Sequence, residues 1–235
     1  MRELVVNADD LGLSPGVNEG IARAHLEGIV TSASLMVRQP AAEAAAEIVR
    51  RLPKLGVGLH FDLAEWTPGP SGWTQLYAFA DGRDGSAVAR EVEHQLALFD
   101  DLVGRPPDHL DSHQHVHRSE PLRSILGRVA DELGAPLRFR SRFGYFGGFY
   151  GQAREGRPLP DAISPRALRT AMAELPDGAT ELCCHPAAQL DFRSSYGRER
   201  LQELETLCDP TVREVHAASG FRLDSFSGHR GHVLA

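Results

Sequence analysis

LVVNADDLGLSPGVNEGIARAHLEGIVTSASLMV, residues 4–37, holds one complete strand–helix–strand period. Residues 4–6 are a short apolar run ending in Asn-Ala-Asp-Asp. Ser14 and Pro15 then mark a helix start. A serine hydroxyl satisfies free N–H groups there, and proline at the first helical position gives up no hydrogen bond. That helix is expected to reach Gly28, and residues 30–37 read as the next strand. The alternation continues outward, with helix signals over 41–52, 86–102, 121–133, 164–175, 198–207 and 211–218. Strand signals fall at 56–63, 109–111, 137–140, 180–184 and 221–226. Residues 66–85 and 142–163 are too rich in glycine and proline for either element and read as long loops. Strands separated by helices pair in parallel through crossovers. The expectation is an α/β fold, a (β/α) barrel-like sheet that is incomplete or distorted, in a single catalytic domain over residues 1–235.

Composition narrows the function. With 42% hydrophobic and 24% charged residues in 235, the chain has material for a full core, which excludes disorder and fibre. The net charge is −7, and no basic cluster offers a nucleic-acid footprint. Only Lys54 is lysine, in a segment that reads as a surface turn, so Schiff-base chemistry has little to work with. Cys183, Cys184 and Cys208 cannot form a disulfide framework and show no zinc-finger spacing. The amino terminus carries two aspartates where a signal peptide needs an apolar stretch, and no run is long enough to span a bilayer. A cytoplasmic location is expected.

In parallel α/β sheets, ligands bind at the carboxyl ends of the strands. Here those ends carry Asp9 and Asp10, His60, the run His109–His117, Arg140 and His185. A lone histidine at a strand end is usually a hydrogen-bonded structural residue, and paired aspartates are usually a turn. Five such ends together point to a site. Four of the eleven histidines lie in His109-Leu-Asp-Ser-His-Gln-His-Val-His117. If the run leaves its strand near Asp111, only one or two of them can face a common ion. Neutral imidazoles with one carboxylate leave coordination positions open on a divalent cation, which polarises a carbonyl and acidifies water. A spare carboxylate beside them can act as general base. The residues alone therefore suggest a metal-assisted hydrolase of a polar substrate.

Other classes fare worse. His109-x-Asp111 with a distant histidine has the form of an iron-oxygenase triad, but those sites sit in a double-sheet β fold. Ser34 and Ser112 lack a nucleophile elbow, and Cys184 beside His185 reads as a small buried hydrophobe rather than a nucleophile. A non-catalytic sugar- or metal-binding protein would have no use for a second aspartate. The aromatics Tyr145 and Phe146, with Phe143, Phe149 and Tyr150, suit stacking on sugar rings, or an interface core. Asp111, His115, Arg140, Tyr145 and Phe146 are the expected substrate contacts, and the aromatic loop also fits a homodimer.

Asn7-Ala-Asp-Asp-Leu-Gly-Leu-Ser14, Gly58-Leu-His-Phe61, the block Pro107–His117 and Cys184-His-Pro186 together resemble the YdjC-like (ChbG-type) carbohydrate deacetylases. The resemblance implies a barrel-like fold and hydrolysis of an N-acetyl group from an amino sugar, releasing acetate. Carried over by position, it makes Asp10, His60 and His113 ligands of a divalent cation, Asp9 the base that activates a metal-bound water, and His185 the general acid. Leu11 and Ala187 depart from the family's usual phenylalanine and glycine. The resemblance implies magnesium, whereas two imidazoles suit zinc, manganese or cobalt better.

Overall fold

The structure, a computed structural model, describes residues 2–69 and 72–229, without the side chains of Pro68 and residues 216–219. The chain runs β1 (Arg2–Leu11), α1 (Pro15–Leu26), β2 (Ser32–Leu35), α2 (Ala42–Arg51), β3 (Gly56–Phe61), β4 (Ala64–Gly69) and β5 (Gly72–Ala78). It continues α3 (Gly85–Val103), β6 (Leu110–Ser112), α4 (Leu122–Leu133), β7 (Phe143–Phe146), α5 (Pro165–Glu174), β8 (Gly178–Cys184), α6 (Arg198–Leu207), α7 (Pro210–Ser219) and β9 (Arg222–Leu223). The main sheet is ordered β6-β3-β2-β1-β8-β7, and all its pairings are parallel. It curls into a partial (β/α) barrel, and no ladder closes β6 onto β7 among the described residues. A parallel sheet of this kind has no place for the iron-oxygenase reading, which needs a double-sheet β fold.

Local chemistry sets the boundaries. The Ser14 hydroxyl accepts from Val17 N–H and Pro15 follows, which starts α1. Ser164 and Pro165 repeat the device at α5. The cap of α3 is Asp84, two residues before the expected Ser86, and its carboxylate accepts from the N–H groups of Ser86 and Ala87. The strands β1, β3 and β8 are buried on both faces over most of their length, as crossover helices require.

The β1 strand ends in an irregularity that serves the site. Ala8 pairs with Ala33 and Leu11 with Leu35, so three steps on β1 match two on β2. The extra residue makes a bulge, which re-aims side chains next to it. Asp10 takes φ 69°, a left-handed conformation costing roughly 1–2 kcal/mol for a residue with a Cβ. Asp9 and Asp10 consequently point in different directions at the end of the strand.

Four expectations need correction. Residues 66–85 were expected to form neither element, but β4 and β5 pair as an antiparallel hairpin outside the main sheet. A two-stranded sheet is all edge, so proline and glycine are tolerated in it. The segment 137–140 is not a strand. Leu137 makes one isolated bridge to Leu110, and Phe139 at φ 65° turns the chain away. The loop at 142–163 contains β7, which supplies an edge of the main sheet. The final strand is also shorter than expected, with β9 pairing only to Glu3 and Leu4.

Candidate active site

The cleft lies at the carboxyl ends of the parallel strands, about 400 Å³ in volume, and Asp9, Asp10, His60, His113 and His185 all line it. Glu65, His115, Tyr145, Tyr150, Tyr196 and Arg200 share its walls.

Asp10 collects the imidazoles. Its Oδ1 lies 3.3 Å from His60 Nε2 and 3.2 Å from His113 Nδ1. The far nitrogen of each ring rests on another carboxylate: His60 Nδ1 on Asp111 Oδ1 at 2.7 Å, and His113 Nε2 on Glu65, which reaches in from the hairpin. Such partners orient the rings and raise their basicity. Burial opposes charge on both imidazoles, yet Asp111 and Asp9 raise His60 well above its ordinary value. Asp10 and Glu65 push His113 up to about 10.

The donor set fits a divalent cation. One carboxylate oxygen and two imidazole nitrogens all lie within 4.8 Å of one another, and strong basicity there means that a cation displaces protons to bind. Three protein ligands facing a cleft leave coordination positions open.

Asp9 is held by other groups. Arg138 donates from Nη1 to Asp9 Oδ2 and from Nη2 to Oδ1, both at 2.7 Å, and Asn7 Nδ2 donates to Oδ1 at 2.8 Å. Burial raises the carboxyl's pKa, but the guanidinium wins and keeps it well below the usual carboxylate range. Arg138 also contacts Asp111 Oδ2 at 2.8 Å and Glu181, so one buried cation anchors three carboxyl groups. A second guanidinium, Arg200, donates to Asp10 Oδ2 at 2.6 Å and leaves Oδ1 to the imidazoles.

His185 Nε2 stands 4.0 Å from Asp9 Oδ2. Burial pushes the imidazole down to about 4, so it is neutral near pH 7. Its backbone N–H donates to Glu203 Oε2 at 2.5 Å, and Tyr196 donates its hydroxyl to the other oxygen. The adjacent Ala187 is accommodated by Gly20 on α1, where a Cβ would come within 2.5 Å of its Cα.

Glu203 carries a testable pH dependence. Burial pushes this carboxyl up to about 8 from an ordinary 4.5. Between those values the unfolded chain has lost the proton and the folded chain has kept it. Stability therefore falls as pH rises, by at most about 1.4 kcal/mol per unit. In thermal unfolding, Glu203→Gln should gain on the wild type from about pH 5 to about pH 8. Parallel curves would mean that Glu203 is ionised in the fold.

The expected substrate contacts divide. Tyr145 and His115 line the cleft, joined by a 3.1 Å hydrogen bond. Asp111 lies beneath it, fully buried, bonded to His60, Ser34 and Arg138 rather than open to a ligand. Phe146 alternates with Tyr145 and faces a different cavity, of about 780 Å³, beside α5. Arg140 is turned outward onto Asp131 at 2.8 Å and Gly127 O, and Arg138 occupies the interior instead. Arg140→Ala should leave kcat and KM within about twofold of wild type, and exposed pairs of this kind are worth about 0–1 kcal/mol. A larger loss of turnover would return Arg140 to the site.

The histidine run leaves the sheet after Ser112, with Gln114 and His115 left-handed. Only His113 reaches Asp10. His109 is buried on Ser34 and Phe226, and His117 on Ser112 and the Arg138 carbonyl. Glu65, Arg138, Glu181, Arg200 and Glu203 escaped the sequence reading, for none sits in a motif.

A family profile described as YdjC-like protein matches residues 3–218. A chitooligosaccharide deacetylase of Salmonella paratyphi B is 36% identical, covering 96% of this chain and 98% of its own length. One from Citrobacter koseri is 35% identical with the same coverage. Among solved structures, an Enterococcus faecalis V583 protein described as a candidate cellobiose-phosphate cleavage protein superimposes with a TM-score of 0.80 at 26% identity. That match covers 97% of this chain and 99% of the other. A family 4 carbohydrate esterase from Streptomyces lividans, in complex with acetate, gives 0.57 at 13% identity over 99% of this chain and 97% of the other, a likeness of fold.

Proposed function

The chain belongs to the YdjC-like family, and on that premise we propose that it is a carbohydrate deacetylase that hydrolyses the N-acetyl group of an amino sugar. One observation carries the reading. The β1 bulge sends Asp10 to His60 and His113 and sends Asp9 to Arg138, with His185 4.0 Å away. Adjacent carboxylates thereby acquire separate tasks. The match to deacetylases along nearly the whole chain supports the same conclusion.

A divalent cation held by Asp10, His60 and His113 would polarise the amide carbonyl and acidify water. Two imidazole ligands favour zinc, manganese or cobalt over magnesium, which prefers oxygen. The remaining work belongs to the chain's own groups. Arg138 keeps Asp9 ionised, so Oδ2 is a ready acceptor for the proton of the attacking water. His185, neutral at rest, takes that proton on Nε2 and delivers it to the amide nitrogen. The water oxygen bonds to the carbonyl carbon and the C–N bond breaks. Acetate and a free amine leave. Tyr145 and His115 line the cleft and would contact the sugar, and burial holds His115 neutral by pushing it down to about 4.

Acetate release from a panel of N-acetylated mono- and oligosaccharides tests the reading. At least one substrate should turn over with manganese, cobalt or a single equivalent of zinc present. Tight sugar binding with no acetate under any of these metals would make the protein a binder. No helix among the described residues is long and apolar enough to cross a membrane. Trp66, Trp73 and Leu76 are exposed on or beside the hairpin's strands and supply apolar area for a homodimer. Light scattering at a single-chain mass of about 26 kDa would rule that out.

A further inference from the structure

Beside the Asp10 cluster lies a second convergence of donor atoms with a different chemistry. The β1 and β8 strands run parallel, with Asn7 opposite Cys183 and Ala8 opposite Cys184. Side chains alternate along a strand, so Cys183 and His185 fall on the cleft side while Cys184 turns inward, its thiol on the Asn7 carbonyl at 3.4 Å. Asp9 follows on the neighbouring strand. Cys183 Sγ and Asp9 Oδ2 each lie 4.0 Å from His185 Nε2, and all three ligand atoms fall within 4.8 Å of one another.

We propose that Asp9, Cys183 and His185 form a second metal site, selective for thiophilic cations such as zinc and cadmium, whose occupation silences the first. A tetrahedral ion with bonds of about 2.0–2.3 Å sets its ligands roughly 3.3–3.8 Å apart. The three atoms therefore need to close by a few tenths of an ångström to about one ångström, within the reach of side-chain torsions. Each has a lone pair to give. Among the described side chains, Asp9 Oδ2 accepts only from Arg138 Nη1. Arg138 repels a cation, but three carboxyl groups surround it. The Cys183 thiol gives its proton to solvent as the sulfur–metal bond forms, and nothing is oxidised or reduced. Sulfur makes the choice of ion: thiolate favours zinc and cadmium and rejects magnesium and manganese.

The binding claim stands on these atoms alone. The silencing claim rests on the proposed function, because a cation on Asp9 and His185 takes the two groups given the proton transfers.

Cadmium titration of the purified chain reads the binding. The ultraviolet thiolate-to-cadmium charge-transfer band should saturate at one equivalent. It should vanish in Cys183→Ser and persist in Cys184→Ser and Cys208→Ser. His185→Ala, folded by circular dichroism, should bind cadmium at least about tenfold more weakly. Absence of the band in wild type, its survival in Cys183→Ser or its loss with Cys208→Ser would overturn the site. For silencing, acetate release by the manganese-loaded chain should fall as zinc is added and fall much less in Cys183→Ser. Equal inhibition of both would remove that claim. If no sugar releases acetate, the cadmium band still decides the site, so the two failures are separable.

Discussion

Arg138→Met should cost about 3–5 kcal/mol of stability at neutral pH, because it leaves buried carboxyl groups without their cation. Arg138 lies among Asp9, Asp111 and Glu181, all three nearly inaccessible to water. For a chain of this size the loss corresponds to a fall on the order of 10 °C in Tm. The pH dependence has a definite sign. In the wild type the guanidinium outweighs burial and holds Asp111 down at about 2, with Asp9 lower still. A depressed carboxyl stabilises the fold above its unfolded pKa, and that contribution is lost as pH falls through the folded value. In the variant the unpaired carboxyls take up protons and the penalty fades. The gap between the two proteins should be widest near neutrality and close as pH drops below about 4. A variant within about 1 kcal/mol of wild type at neutral pH would mean that the three carboxyls do not need this partner.

Asp9→Asn should lower kcat by about 10²–10⁴-fold, the usual contribution of a general base. The amide keeps the shape and still accepts from Arg138, but it cannot take a proton from water near pH 7. Since Asp10, His60 and His113 are untouched, the manganese held by the manganese-loaded chain, measured by mass spectrometry, should match wild type. The loss should fall on kcat rather than on KM. His185→Ala should follow the same pattern, while Asp10→Asn should lose metal as well as turnover. Metal lost from Asp9→Asn and kept by Asp10→Asn would exchange the two roles.

Local signals carried much of this architecture. Apolar runs, Ser-Pro helix starts and charged residues at strand ends are short-range patterns, and they located β1, α1, β3, α5 and β8 together with Asp9, Asp10, His60 and His185. The failures were those of parity and of distance. Arg138 and Arg140 are the same residue type two positions apart, and their directions depend on the left-handed turn at Phe139. Cys183 rather than Cys184 faces the cleft because consecutive side chains alternate along β8. Tyr145 and Phe146 separate onto two cavities because β7 is a strand and not a loop. Arg200 reaches Asp10 across 190 positions and Glu65 reaches His113 from a hairpin outside the sheet. Neither residue is marked by composition or spacing, because the tertiary fold alone brings it to the site.

The most direct test counts acetate and free amine in one reaction of an N-acetylglucosamine oligomer. It uses the purified chain as isolated, after chelation, and after a divalent cation is restored. The expected result is acetate and amine in equal amounts, both abolished by chelation and both returning with the cation. Free amine formed undiminished by the chelated chain, or no amine in any of the three conditions, would contradict metal-dependent deacetylation in this cleft.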